Sequence, residues 1–144
     1  MWFNPIMTWL LRSPLHGFIS SNTMLVTYTG RKSGKTYSTP VNYLRMKDSR
    51  GEYLLTTSTR ERSWWRNLRG GAAVTLRLRG KDLPAQAEVL EDEGAVIDEL
   101  GAFFEKAPKM AKYFGVRLEA NGKPDRDDLA RAAERRVVVR TVVI

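Results

Sequence analysis

The densest chemistry in the sequence lies in Arg31-Lys32-Ser33-Gly34-Lys35, where three cations and a hydroxyl share one turn beside Gly30. Cations on a turn whose backbone amides point outward bind phosphate or carboxylate. The same composition also serves as a solvated hairpin tip that blunts a sheet edge. Its spacing is not that of the G-x-x-x-x-G-K-[ST] phosphate loop. A second run, Thr56-Thr57-Ser58-Thr59-Arg60, sets hydroxyls and an arginine where a predicted strand gives way to a predicted helix. Free helix amides would make that a second anion site. Trp64 and Trp65 follow, beside Arg66 and Asn67. An indole stacks on a planar ring and an amide reads its polar edge. Adjacent tryptophans point to different helix faces, so at most one meets a ligand and the other packs.

Other chemistries find little support. There is no Cys and a single His, so a disulfide framework and a thiolate metal site are excluded and no metal centre is expected. His16 sits among Pro14, Leu15, Gly17 and Phe18, without a serine nucleophile paired to an acid, and reads as structural. The Asp and Glu of the second half fall on predicted helix faces and turns, where a solvated role suits them better than paired-carboxylate hydrolysis.

Charge is unevenly spread. Residues 1–80 carry 13 Lys and Arg against Asp48, Glu52 and Glu61, a net of +10, whereas the remainder nets −2. Such a field attracts anions of any kind, and a phosphorylated cofactor, a nucleic acid and a membrane surface remain equal on charge alone.

These residues need a scaffold of strands. At 144 residues with 42% hydrophobic content, the chain fits one domain with one core. Thr23–Thr29 and Thr36–Met46 read as a hairpin with the basic turn at its tip. Pro40 inside the second run belongs at an edge, a bulge or an opening, since proline cannot donate to a ladder. Further strands are expected over Glu52–Ser58, Ala72–Gly80 and Leu83–Leu90, with a helical segment over Arg60–Arg69. Val74, Leu76 and Leu78 share one strand face, opposite Thr75, Arg77 and Arg79. Val96, Ile97, Leu100, Phe103 and Phe104 repeat at helical spacing within Glu93–Lys106, ended or bent at Pro108. A less regular stretch, a capped helix over Asp125–Arg136 and a closing strand, VVVRTVVI, complete the chain. Five strands, a helix and a final strand suggest a closed antiparallel barrel, because closure removes exposed edges.

Residues 2–19 read as two short helices, opened by Asn4-Pro5 and restarted at Ser13-Pro14. The first is too short to span a bilayer, which needs about 20 apolar residues. It caps the barrel, joins a dimer interface or lies on a membrane surface through Trp2, Phe3, Trp9 and Arg12. No signal segment precedes the domain, so the cytoplasm is the expected compartment, with peripheral contact at the inner membrane face as a variant.

The segments TYTGRKSGKTYSTPVNYL and LLTTSTRERSWWRNLR, taken in this order, resemble the deazaflavin-dependent nitroreductase and quinone reductase family, a branch of the flavin-binding split barrels; the resemblance covers roughly residues 15–90. It implies a mainly β fold with helices (α+β), an antiparallel split β-barrel of the flavin-reductase kind, often dimeric. It implies a reduced deazaflavin coenzyme, F-420, or alternatively FMN, whose single phosphate needs fewer cations. Arg31, Lys32, Ser33, Thr57, Ser58, Thr59 and Arg60 would hold the coenzyme's phosphate and acidic tail. Thr39, Pro40, Val41, Asn42, Trp64 and Asn67 would flank its ring. Hydride would pass to a small-molecule acceptor, a nitroaromatic, quinone or enone, while the protein supplies orientation. Some family members carry several tyrosines in the segment covering the substrate, and only Tyr113 stands there in this chain. Its phenol serves as proton donor or simply packs. No nucleic-acid partner is expected.

Overall fold

A computed structural model of the chain describes residues 2–3 and 23–144. Eight strands follow in order: β1 (Trp2–Phe3), β2 (Thr23–Thr29), β3 (Thr36–Asn42), β4 (Leu44–Asp48), β5 (Gly51–Thr59), β6 (Ala72–Leu78), β7 (Lys81–Leu90) and β8 (Arg136–Val143). Two α-helices, α1 (Glu93–Lys106) and α2 (Arg126–Arg135), and two 3-10 helices, Trp64–Leu68 and Pro108–Phe114, complete the described elements. The strands form one sheet in the order β1-β3-β2-β6-β7-β8-β5-β4. The pairs β2-β3, β2-β6, β6-β7 and β4-β5 are antiparallel, and the two-residue β1 joins β3 in parallel. This is an α+β fold of the split-barrel class.

Four expectations need correction. Among the described residues the sheet does not close: β1 and β4 remain as its edges. Thr36–Met46 is not one strand, because the chain leaves the ladder at Tyr43 and resumes as β4, which pairs with β5 instead of β2. Tyr43, between the two strands, is buried. Arg60–Arg69 is helical only over the five residues Trp64–Leu68, preceded by a turn at Arg60-Glu61. Ser63 offers no side-chain cap there, and a segment this short cannot recover the cost of α-helix nucleation. Finally, Trp2 and Phe3 are strand, not helix. The rest of the expected amino-terminal helices, with Trp9, Arg12 and His16, lies outside the described residues.

Contacts group the chain into two compact units. The first comprises Met1–Thr56, Ser63–Val89 and Val139–Ile144; the second comprises Thr57–Arg62 and Leu90–Val138. In the first, alternation does the sorting: Val74, Leu76 and Leu78 of β6 are buried while Thr75 is exposed. Met24, Leu55, Leu68 and Leu76 are wholly buried, each worth about 1.5–3 kcal/mol against exposure. Arg140 pairs with Asp48 and lies 3.9 Å from the centre of the Tyr53 ring.

In the second unit α1 follows the predicted stripe, with Val96, Leu100, Phe103 and Phe104 buried. Asp92 caps it by accepting the Ala95 N–H at 3.0 Å, and Asp125 caps α2 through the Asp128 N–H. Phe114 packs edge to face on Phe103 and Phe104 at 5.7 and 5.2 Å, and those two rings are tilted against each other at 5.3 Å. Pro108 does not bend α1; it opens the following 3-10 helix, which ends at Gly115 with φ of 72°. One acid of this unit departs from the solvated expectation. Asp128, 4% exposed, accepts the Arg117 N–H at 3.0 Å and Nε–H at 2.9 Å and pairs with Arg131. The Arg117 hydrogen bonds hold its carboxyl at about 2, below the usual carboxylate range. No helix among the described residues is long and apolar enough to cross a membrane.

Candidate functional site

The basic turn is the tip of the β2-β3 hairpin, whose ladder runs from Thr23 opposite Asn42 to Thr29 opposite Thr36. Beyond the last pair the Gly30 N–H donates to the Lys35 carbonyl and the Gly34 N–H to the Gly30 carbonyl, both at 2.8 Å. Gly34 has φ of 70°, a conformation that favours glycine. Gly30 is needed for space: a Cβ there would lie 2.6 Å from Tyr37 Cε2.

Each remaining amide of the turn has an identifiable fate, and this decides what the tip can bind. The Lys35 N–H donates to Ser33 Oγ at 3.2 Å, and the Arg31 N–H donates to Asn67 Oδ1 at 3.0 Å. The amides of Lys32 and Ser33 have no partner among the described residues. The Arg31 guanidinium donates to the Arg69 carbonyl. Among the described residues no carboxylate pairs with Arg31, Lys32 or Lys35. An exposed, acid-free group of cations around two unspent amides is suited to an anion.

Aromatic packing fixes the base of this tip. Tyr28 and Tyr37, opposite each other in the ladder, stack at 5.9 Å, and Tyr28 also lies 6.3 Å from the Trp64 ring. Ser33 Oγ is 3.0 Å from the Tyr37 hydroxyl, and the Tyr28 hydroxyl is 3.5 Å from Thr39 Oγ1. Trp64 is 5% exposed and Trp65 only 2%, so neither ring presents an open face. The guanidinium groups of Arg66 and Arg69 lie over the Trp65 ring, 5.4 and 5.1 Å from its centre.

Arg31, Lys32, Ser33, Thr39, Trp64 and Asn67 therefore gather in the first unit. Val41 is buried on the same strand, and Asn42 accepts a hydrogen bond from Thr23 Oγ1 at 3.0 Å. Pro40 faces Leu25 on one side; on the other, β1 reaches only Ser38, so among the described residues no strand flanks it, as its missing donor requires. Thr57, Ser58, Thr59 and Arg60 belong to the second unit. Thr57 Oγ1 accepts from Arg136 at 3.3 Å and the Ser58 hydroxyl donates to the Thr59 carbonyl at 3.3 Å. Arg60 donates its guanidinium to the carbonyls of Glu91 and Ala133 at 2.7 and 3.1 Å, and its amide to Arg135. Because the helix begins only at Trp64, its amides do not follow this run, and the arginine is engaged with backbone.

Tyr113, in the second 3-10 helix, is 69% exposed, with the Lys112 ammonium 5.2 Å from its ring centre. It lines a shallow groove with Pro108, Lys109, Lys112 and Arg117. Sequence reasoning missed Tyr28, Tyr37 and the Arg69 carbonyl as parts of the tip. The tyrosines had a legible signal, since they stand equally far from the turn and hairpin register must bring them opposite each other. The Arg69 contact is between distant segments and had none.

Comparison with known proteins agrees with an anionic cofactor. No curated protein matches the chain. A solved chain described as a domain-swapped dimer is similar in fold, with a TM-score of 0.50, 20% identity, and coverage of 94% of this chain and 93% of that one. The F420H(2)-dependent quinone reductase family matches residues 15–119, which include the whole basic hairpin and the Trp64–Leu68 helix. A split-barrel sheet, an acid-free cationic tip and that match lead to one conclusion: the chain belongs to the F420H(2)-dependent quinone reductase family.

Proposed function

We infer that this reductase delivers hydride from the reduced deazaflavin coenzyme F-420 to a small quinone, nitroaromatic or activated enone. The observation that carries the reading is the turn that, among the described residues, has two unspent amides, at Lys32 and Ser33, beside cations that no acid neutralises. The Arg31, Lys32 and Ser33 groups take an anionic portion of the coenzyme, and the surrounding positive field speeds its arrival. When bound, the reduced coenzyme supplies the hydride. The protein's part is to orient the reactants, and acceptor and coenzyme need only a near-attack geometry. Reduction of a quinone takes up one hydride and one proton. Tyr113, beside Lys112 in an open groove, is a candidate donor of that proton, with solvent restoring it.

Thr39, Pro40, Val41 and Asn42 would flank the ring along β3, and Ser58, Thr59 and Arg60 would act through the backbone they brace. The reading extends to a cytoplasmic homodimer, the second copy by analogy with the dimer named for the similar solved chain. The test mixes the protein with reduced coenzyme and follows its oxidation by a quinone and by a nitroaromatic. Turnover that falls when Arg31 and Lys32 are both replaced by Ala supports the reading. Binding of FMN in preference to F-420, or no oxidation with any acceptor, overturns it.

A further inference from the structure

We propose that Asn67 is a positioning residue that presets the anion-binding turn, not a group that reads the coenzyme's ring. The proposal rests on the reading of that turn as the coenzyme's anion site. The Asn67 side-chain amide is engaged with protein at both ends. Its Oδ1 accepts the Arg31 N–H at 3.0 Å and its Nδ2 donates to the Trp64 carbonyl at 3.1 Å. It therefore joins the exposed hairpin tip to a 3-10 helix whose Trp64, Trp65 and Leu68 are buried. The helix is the fixed end of this link and the turn is the free end.

The link has a specific consequence for the amides. Within Gly30–Lys35, four N–H groups have internal or Asn67 partners, and among the described residues only those of Lys32 and Ser33 are left over. By holding the Arg31 N–H, Asn67 fixes the Gly30-Arg31 peptide, the unit directly before the two peptides that carry the Lys32 and Ser33 N–H groups, and so limits how those two donors can turn. A site whose donors are already oriented binds without the cost of ordering them. The Arg31 guanidinium on the Arg69 carbonyl is a second tie to the same segment, so the tip is anchored through two atoms of one residue.

The experiment compares Asn67→Ala, Asn67→Asp and Lys32→Ala, each cofactor-free for hydrogen exchange and each titrated with F-420. Asn67→Ala should speed exchange of the Arg31 amide and weaken coenzyme binding roughly tenfold, the loss expected for one hydrogen bond. Asn67→Asp keeps the acceptor and should keep the Arg31 amide slow, which also carries the test if the alanine variant fails to fold. Lys32→Ala should weaken binding while leaving Arg31 exchange at the wild-type rate. Slow exchange in Asn67→Ala, fast exchange in Asn67→Asp, or wild-type affinity in Asn67→Ala beside a weakened Lys32→Ala would each overturn the positioning role and spare the anion site. Wild-type affinity in both alanine variants would overturn the anion site itself, and the proposal with it.

Discussion

Around the Gly30–Lys35 turn, among the described residues, cations stand without a carboxylate and two backbone amides are left unspent. Around Asp128 the opposite holds: Arg117 and Arg131 converge on one buried carboxylate, which also takes a backbone N–H. Both clusters are cationic, yet among the described residues only the second finds a carboxylate within the chain. A satisfied cluster fixes local structure, because a buried charge is tolerated only when paired and hydrogen-bonded. An unsatisfied one on the surface costs little in water and keeps its donors for a ligand. Charge count along the sequence does not separate these roles; the location of the acids does.

The contrast can be broken in order of expected effect. Phe104→Ala, which removes the wholly buried ring of the second unit's aromatic cluster, should cost about 3–5 kcal/mol of stability in denaturant unfolding. The paired change Arg31→Ala with Lys32→Ala should instead leave the unfolding midpoint near wild type and weaken F-420 binding about a hundredfold, as two charge-assisted contacts are lost. A large stability loss in that variant would make the tip a structural element after all. Gly30→Ala lies between the two classes. The new Cβ meets Tyr37, and the overpacking should cost about 1–3 kcal/mol, read by unfolding, with looser coenzyme binding as the tip shifts. Asp92→Ala, which removes the α1 cap, should cost only about 1 kcal/mol and leave coenzyme binding unchanged.

Acid sharpens the same comparison. The folded Asp128 carboxyl titrates at about 2 because of the Arg117 hydrogen bonds, below its unfolded value of about 3.9. Its contribution is therefore complete above about pH 4 and is lost as pH falls toward 2. Thermal melts across that window should show a steeper decline for wild type than for Asp128→Asn. Equal slopes would remove the Arg117 cluster from the account of stability.

Much of the fold was legible because its signals are local. The alternation in β6 and the apolar stripe of α1 each depend on a few neighbouring residues, and both are present with nearly the expected bounds. The break at Tyr43 was not legible, since Val41 to Met46 has strand character throughout and only the exchange of partner from β2 to β5 interrupts it. The helix at Trp64–Leu68 came out shorter than its pattern suggested because no cap extends it. At the tip, residue types pointed to an anion, whereas which amides Asn67 and Ser33 hold and which they leave depends on three-dimensional contacts. The pairing of Arg117 with Asp128 across an intervening loop was equally hidden.

The most direct test of the acid-free turn as the coenzyme's anchor is calorimetric titration of cofactor-free protein with F-420 and with FMN at low and high salt. The account predicts tighter binding of F-420, weakening as salt rises, with that salt dependence reduced when Arg31 and Lys32 are replaced by Ala. Preference for FMN, or an F-420 affinity and salt dependence unchanged in the double variant, would contradict it.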